Sequence, residues 1–211
     1  MSFLKCLFPC CCKESEIDKL SNINYKQISP KKREFYYNSQ IIKKLEVKDS
    51  YHVKVIDIYD ADTITVVLFF RDIPSIIKLR LLGIDTPEMK PKTDNENENI
   101  KEKALAIIAK IFLKNILEEN ENIIYIETNG TEKYGRTLAI LYKKKGDSKS
   151  INQQLVDLKL ADSYFGKTKE RNFQNNFLSI KDSKEIIKMY EKGETYYKDL
   201  YYYYSKKKGY N

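Results

Sequence analysis

The feature that most limits the fold of this chain is a change in the spacing of its apolar residues. Three runs between residues 51 and 84 are rich in β-branched and aromatic residues and are separated by short breaks. Such runs predict β-strands. From residue 102 to 117, apolar residues recur every three or four positions, which predicts one buried face of a helix. Two more strand-like runs follow, at residues 123–128 and 137–142.

More helical sequence follows these strands. Ser150 with Gln153 has the spacing of a capping box, which predicts a second helix, and residues 172–192 predict a third. Three strands, a helix, two strands and then helices predict an α+β fold: a five-stranded OB-fold β-barrel with about three helices. We expect this domain to span residues 49–195, between a Cys-rich and basic tail and linker at 1–48 and a Tyr- and Lys-rich tail at 196–211.

Charge and composition restrict the chemistry. The 211 residues include 38 Lys and Arg against 30 Asp and Glu, a formal charge of +8, which favours a polyanionic partner such as nucleic acid or an anionic membrane. A single histidine, His52, excludes reactions that need two imidazoles from one chain. All four cysteines lie in the first twelve residues, so neither a zinc site nor a disulfide framework is expected in the folded domain. Catalysis would depend on carboxylates, Arg, Lys, Tyr and a metal ion.

Three polar clusters contain residues suited to phosphodiester hydrolysis: DADT at 60–63, RLLGIDTPE at 80–88 and EKYGR at 132–136. This reaction needs a carboxylate to orient water, a hard cation held by oxygen ligands, and guanidinium groups on the phosphate. Each cluster also has an ordinary structural interpretation, as turn formers or cross-strand ion pairs. Arg80 is the exception: it stands in an apolar strand and must face solvent or meet an acidic partner.

The stretches VIDIYDADTITV, RLLGIDTPE and EKYGRTLAILY resemble, in the same order, the three signature segments of the staphylococcal nuclease (thermonuclease) family. The resemblance covers about residues 51–165. It implies a calcium-dependent nuclease that hydrolyses DNA and RNA through in-line attack of water on the phosphodiester. Single-stranded substrate is expected to be preferred and the protein to act as a monomer. Mg²⁺ is an alternative cation.

The resemblance also implies roles for particular residues. Glu88 would hold the attacking water, and Arg80 and Arg136 would clamp the scissile phosphate. The metal ligands would be Asp62, Asp85 and the backbone carbonyl of Thr86, with Asp60 behind them. Substrate would be bound by Lys133, Tyr134 and Tyr164. One departure from the family pattern is Ala61, which stands where glycine is usual between the two aspartates and matters if that position needs a positive φ.

The N-terminal cysteines suggest a second property. Cys10, Cys11 and Cys12 lie beside Phe and Leu, as S-acylated cysteines do, and the basic segment at 31–33 would add a second membrane signal. This predicts a protein on the cytoplasmic side of a membrane, anchored by palmitate. A secretory signal is not expected, because the apolar stretch is short and broken by Pro9. An unmodified, reduced tail is the alternative.

Two other functions fit the same sequence. One is a catalytically inactive OB-fold module that binds nucleic acid, although binding alone would not need Glu88. The other is a membrane-tethered adaptor in which the N-terminal tail is the functional part.

Overall fold

The computed structural model of the protein describes residues 15–23, 49–70, 73–164 and 178–193. The described strands are β1 (Ser50–Asp60), β2 (Thr63–Phe70), β3 (Ile73–Leu81), β4 (Ile84–Asp85), β5 (Ile123–Thr131), β6 (Thr137–Tyr142) and β7 (Asp162–Ser163). The described helices are α1 (Glu16–Asn22), α2 (Glu96–Glu118), α3 (Ile151–Asp157) and α4 (Ile180–Glu191).

Five of the strands form a closed barrel in the order β1-β2-β3-β6-β5. β3 and β6 pair in parallel, and the other neighbours, including the β1–β5 pair that closes the barrel, are antiparallel. The predicted α+β fold with a five-stranded OB-fold barrel is therefore confirmed. The described residues hold four helices rather than about three, because α1 was not predicted.

Helix α1 lies within the segment that we predicted to be tail and linker. Ser15 caps it through a capping box with Asp18, and its Leu20 is fully buried. The side chain of Lys54 in β1 donates to the carbonyl of Ser21, 3.2 Å away. A helix this short is stable only through such tertiary contacts, which explains why periodicity in the sequence did not reveal it.

The hydrophobic core lies between the barrel interior and α2. Inward-facing residues such as Val53, Ile64 and Leu79 pack in one cluster with Ile108 and Phe112 of α2. α2 begins at Glu96, before the predicted start at residue 102. The prediction missed the first turn because that turn is polar and exposed, so it adds nothing to the apolar pattern. Asn95 caps that turn by accepting from the backbone amides of residues 97 and 98.

The predicted third strand, which we extended to Ile84, is broken in the structure by a turn at Leu82 and Gly83. Gly83 has a φ of +79°, which favours glycine. Beyond the turn, β4 leaves the barrel and pairs antiparallel with β7. The break sends Asp85 and the loop after it towards the turn between β1 and β2.

Helix α3 supports the turn at Leu82 and Gly83. Ser150 caps α3 by accepting from the amide of Gln153, but the Gln153 side chain donates to Asp157 instead of completing the predicted capping box. The buried Asn152 accepts from the amide of Leu141 at 3.0 Å and donates to the carbonyl of Leu82 at 2.9 Å. One amide group thereby connects β6 to the turn between β3 and β4.

Several predictions concern parts of the chain outside the described residues. These are the acylation of Cys10, Cys11 and Cys12, the tail at 196–211 and the start of the third predicted helix before residue 178. Within the described residues, every helix is too short or too polar to span a lipid bilayer.

Candidate active site

A buried cluster of opposite charges lies where the ends of three strands meet. Arg80 of β3 forms ion pairs with Asp62, in the turn between β1 and β2, and with Asp85 of β4, whose Oδ1 is 2.9 Å from Nη2. Nη2 also donates to the carbonyl of Ile84 at 3.2 Å. Only 12% of the Arg80 side chain and 8% of each aspartate side chain are exposed. Charges this deep are tolerated when they are paired, and each of these is.

Strand register produces this arrangement. Thr63 lies opposite Arg80 in the β2–β3 ladder, and the amide of Leu81 donates to the carbonyl of Asp62 at 2.8 Å. The amide of Thr86 donates to Asp62 Oδ2 at 3.1 Å, which ties the loop after β4 to the same carboxylate. Arg80 thus has the acidic partners that its place in an apolar strand requires.

Glu88 and Asp60 lie next to this cluster. The amide of Met89 donates to Asp60 Oδ1 at 3.3 Å, and the amide of Glu88 donates to Glu102 of α2 at 3.1 Å. Burial raises the pKa of Asp60, and the negative charge of Glu88 raises it further, while Lys110 and Arg80 oppose the shift. The Glu88 carboxylate therefore lies within electrostatic range of Asp60, and so does the Arg80 guanidinium.

The turn between β5 and β6 positions the second arginine. The amide of Gly135, whose φ is +78°, donates to the carbonyl of Glu132 at 2.9 Å and closes the turn. Arg136 pairs with the Glu132 carboxylate through Nε and donates through Nη1 to the Thr63 hydroxyl at 3.0 Å. That hydroxyl in turn donates to Asp62 Oδ1 at 2.9 Å. A short chain of hydrogen bonds thus links Arg136 to the buried cluster.

The two arginines also interact electrostatically. Burial lowers the pKa of Arg80, Asp85 opposes this shift, and the positive charge of Arg136 lowers the pKa further. The two guanidinium groups are therefore close enough to act on one phosphate, although each already has carboxylate partners with which a phosphate would compete.

The predicted substrate-binding residues are more exposed. Tyr134 is 71% exposed at the tip of the β5–β6 turn, with Lys133 Nζ 4.9 Å and Arg136 Cζ 5.9 Å from its ring centroid. The backbone amide of Tyr164 donates to the carbonyl of Gly83 at 2.8 Å, so Tyr164 follows β7 at the edge of the site. In the described structure, no hydrogen bond joins its side chain to the other predicted residues.

The family model for staphylococcal nuclease homologues matches residues 78–185, just over half of the 211-residue chain. The chain belongs to this family. The match includes Arg80, Asp85, Thr86, Glu88 and Arg136, and the structure adds Asp60 and Asp62 from outside it. No curated protein matches the chain. Membership indicates a nuclease-type or nucleic-acid-binding function.

Ala61 does not disturb the site of this staphylococcal nuclease homologue. It is buried, and the described non-glycine residues with positive φ are Glu121, Asn122 and Lys159. The alanine in place of glycine therefore carries no backbone strain.

The predicted metal ligands offer oxygen donors that suit a hard cation. Asp62 and Asp85 share one guanidinium as partner. Thr86, next to them, is buried, and its hydroxyl has no hydrogen-bond partner among the described residues, as expected of a polar atom beside a ligand site. Within the same residues, no group of three or more His, Cys, Asp or Glu could hold a metal. The predicted set has only two carboxylates, and Arg80 competes for both.

Sequence reasoning assigned no role to three residues that position this homologue's site: Thr63, Glu102 and Glu132. Thr63 and Glu132 stand inside the quoted motifs, but roles were predicted only for the residues beside them. Glu102 had a detectable signal, since it lies three positions before Leu105 on the apolar face of α2 and is itself buried. A buried acid on a core-facing helix should have prompted a search for its partner.

Proposed function

We propose that this protein is a calcium-dependent nuclease that cleaves DNA and RNA, with flexible single strands preferred, and that it acts as a monomer. One observation supports this best: three polar segments of the chain meet at one group of aspartates. Arg80 pairs with Asp62 and Asp85, and the Thr63 hydroxyl links Arg136 to Asp62. The charge of Glu88 acts on the neighbouring Asp60. Binding nucleic acid requires cations. A carboxylate beside the phosphate site is useful mainly for hydrolysis, because it repels a bound polyanion.

In the proposed reaction, Arg80 and Arg136 bind non-bridging oxygens of the scissile phosphate. Glu88 orients a water molecule opposite the leaving oxygen and accepts its proton as the water oxygen attacks phosphorus. The bond to the leaving oxygen then breaks, and that oxygen takes a proton from solvent. Each guanidinium aimed at the charge that develops on the phosphate is worth about 3–4 kcal/mol of barrier.

The cation would be held by Asp62, Asp85 and the carbonyl of Thr86. When bound, it polarises a phosphate oxygen and neutralises developing charge. A site with two carboxylates should bind Ca²⁺ weakly, with a dissociation constant of roughly 10⁻⁴–10⁻³ M. Mg²⁺ is the alternative. In either case, the cation must compete with Arg80 for the two aspartates.

The test is digestion of a fluorescent single-stranded oligonucleotide by the full chain with calcium, with magnesium or with chelator. We expect cutting with calcium, none with chelator, and a loss of about 10²–10⁴ in Glu88→Gln. Glu98→Gln, at an exposed position in the first turn of α2, is the matched control and should cut normally. Tight binding without cutting under every metal condition would make the protein an inactive binding module.

We also propose that acylation of Cys10, Cys11 and Cys12 holds the enzyme on the cytoplasmic face of a membrane. The support is the sequence around the cysteines together with the basic segment at 31–33. Mass spectrometry of the N-terminal peptide, before and after hydroxylamine, tests it. A mass loss that corresponds to palmitoyl groups is expected, whereas unmodified thiols would remove the main support for attachment and for the adaptor hypothesis.

A further inference from the structure

A second basic feature lies beside the candidate active site. The loop that follows Glu88, the first turns of α2 and one face of α4 enclose a groove of about 510 Å³. We call it the α2–α4 groove. Four lysines line it, Lys90, Lys103, Lys184 and Lys188.

These lysines exceed the acids around them. The groove is also lined by Glu96 and Glu191, and Glu191 is neutralised by Lys103, whose Nζ lies 2.8 Å from its Oε1. Lys90, Lys184 and Lys188 are exposed and have no ion pair with any residue in the described part of the chain. Lys184 and Lys188 are one helical turn apart, and like charges at this spacing destabilise a helix unless an anion lies between them. The groove therefore favours a polyanion.

Apolar side chains complete the groove. Met89 and Ile187 line it and pack against the hydrophobic core from partly exposed positions. Such a surface, flanked by these three lysines, suits a single strand of nucleic acid, whose sugars and bases present apolar faces between charged phosphates.

One lining residue, Met89, connects the groove to the site. Met89 follows Glu88 directly, and its backbone amide donates to Asp60 Oδ1 at 3.3 Å. We infer that the α2–α4 groove binds the part of a single-stranded nucleic acid that extends beyond the scissile phosphate, with Lys90, Lys184 and Lys188 on its phosphates. This inference rests on the proposed function, because it assumes that the arginines hold a phosphate of the same strand.

The test compares Lys90→Gln/Lys184→Gln/Lys188→Gln with a control of equal charge, Lys78→Gln/Lys144→Gln/Lys145→Gln. The control lysines are exposed and lie outside the groove. Binding is followed by fluorescence anisotropy in full chains that also carry Glu88→Gln, which slows cutting. Two oligothymidylates are used, of about four and about sixteen nucleotides, the range of site sizes for one OB-fold.

For the long oligonucleotide, losing three phosphate contacts should lower the slope of log K against log salt by about 2 and weaken binding at least tenfold. The short oligonucleotide should bind as before, because the arginines alone can hold it. Equal weakening in the control, or equal weakening of the short oligonucleotide, would overturn the inference. So would loss of binding to phosphatidylserine vesicles with oligonucleotide binding intact, because the groove would then serve a membrane.

The two proposals fail separately. If chains with an intact Glu88 do not cut but the groove variant still loses the long oligonucleotide, catalysis is wrong and the groove stands. If they cut and the groove variant binds normally, only the groove assignment is lost.

Discussion

Two regions bring positive charge to the same site by different means. In the buried cluster, Arg80 lies between Asp62 and Asp85, and only 12% of its side chain is exposed. In the β5–β6 turn, Lys133 and Tyr134 face solvent, and Arg136 is anchored by Glu132. Packing and strand register hold the first region, whereas a glycine turn, one ion pair and the hydrogen bond from Arg136 to the Thr63 hydroxyl hold the second.

The difference predicts which residues serve stability and which serve function alone. Removing one member of a buried ion pair leaves an uncompensated charge, whereas an exposed pair contributes little to folding. Substitutions in the cluster should therefore affect folding and activity together. Substitutions in the turn should affect activity with little effect on folding.

Arg80→Ala should give the largest effect. It removes the guanidinium that neutralises the buried Asp62 and Asp85, so the free energy of unfolding in chelator should fall by about 3–5 kcal/mol. Calcium should then raise the melting temperature more than in the parent protein, because the carboxylates no longer bind a guanidinium. Urea unfolding and thermal melts with and without calcium measure this. Lys78→Ala, exposed on the same strand, is the control and should change stability by less than about 0.5 kcal/mol.

Equal calcium shifts in Arg80→Ala and the parent protein would show that the cation does not compete with Arg80.

Arg136→Ala should separate activity from stability. Losing one guanidinium from the phosphate should lower the cleavage rate about 10²–10³-fold. The partly exposed pair with Glu132 should cost no more than about 1 kcal/mol of stability. Cleavage kinetics and urea unfolding of the same preparation test both. Destabilisation as large as in Arg80→Ala would mean that the turn belongs to the buried network.

Tyr134→Ala should act on substrate binding alone. A base stacked on the exposed ring contributes about 1–3 kcal/mol, so the affinity for single-stranded DNA should fall while the melting temperature is unchanged. Tyr134→Phe keeps the ring and should bind like the parent protein. If the phenylalanine variant binds as weakly as alanine, the hydroxyl rather than the ring makes the contact.

The smallest effect is expected at an exposed pair far from the site. Hydrogen bonds from Lys149 and Gln153 lower the pKa of Asp157 below its ordinary value of 3.8. The folded state thus favours the charged form, so its stabilisation is present above the unfolded pKa and is lost as pH falls through the folded one. Asp157→Asn should lower the melting temperature slightly at neutral pH and leave it unchanged below the folded pKa. A difference that persists in strong acid would point to packing instead.

Parts of the fold and site were readable in the sequence for physical reasons. β6 has clear periodicity, because alternate residues are buried against the core. α2 was recognisable from apolar residues at helical spacing, although residues 104–109 are all buried and the helix is covered on more than one face. The site residues were recognisable because their motifs recur in family order. By contrast, α1 is too short to show a pattern, and β4 and β7 have two residues each, so their pairing depends on tertiary contacts. The position of Glu102 on the apolar face of α2 marked it in the sequence, but its hydrogen bond from the backbone amide of Glu88 could be found only in the structure.

The amino-acid order alone determined the strand sequence of the barrel and the chemical types in its site, because periodicity and residue identity are local properties. The tertiary structure decided which charges are buried and which charge neutralises each of them. That Arg80 holds Asp62 and Asp85 together, while Arg136 remains near the surface, follows from the β2–β3 register and the turn at Gly83. The free-energy cost of an unpaired charge depends on how deeply folding buries it. The motifs alone could therefore not show how costly each unpaired charge would be.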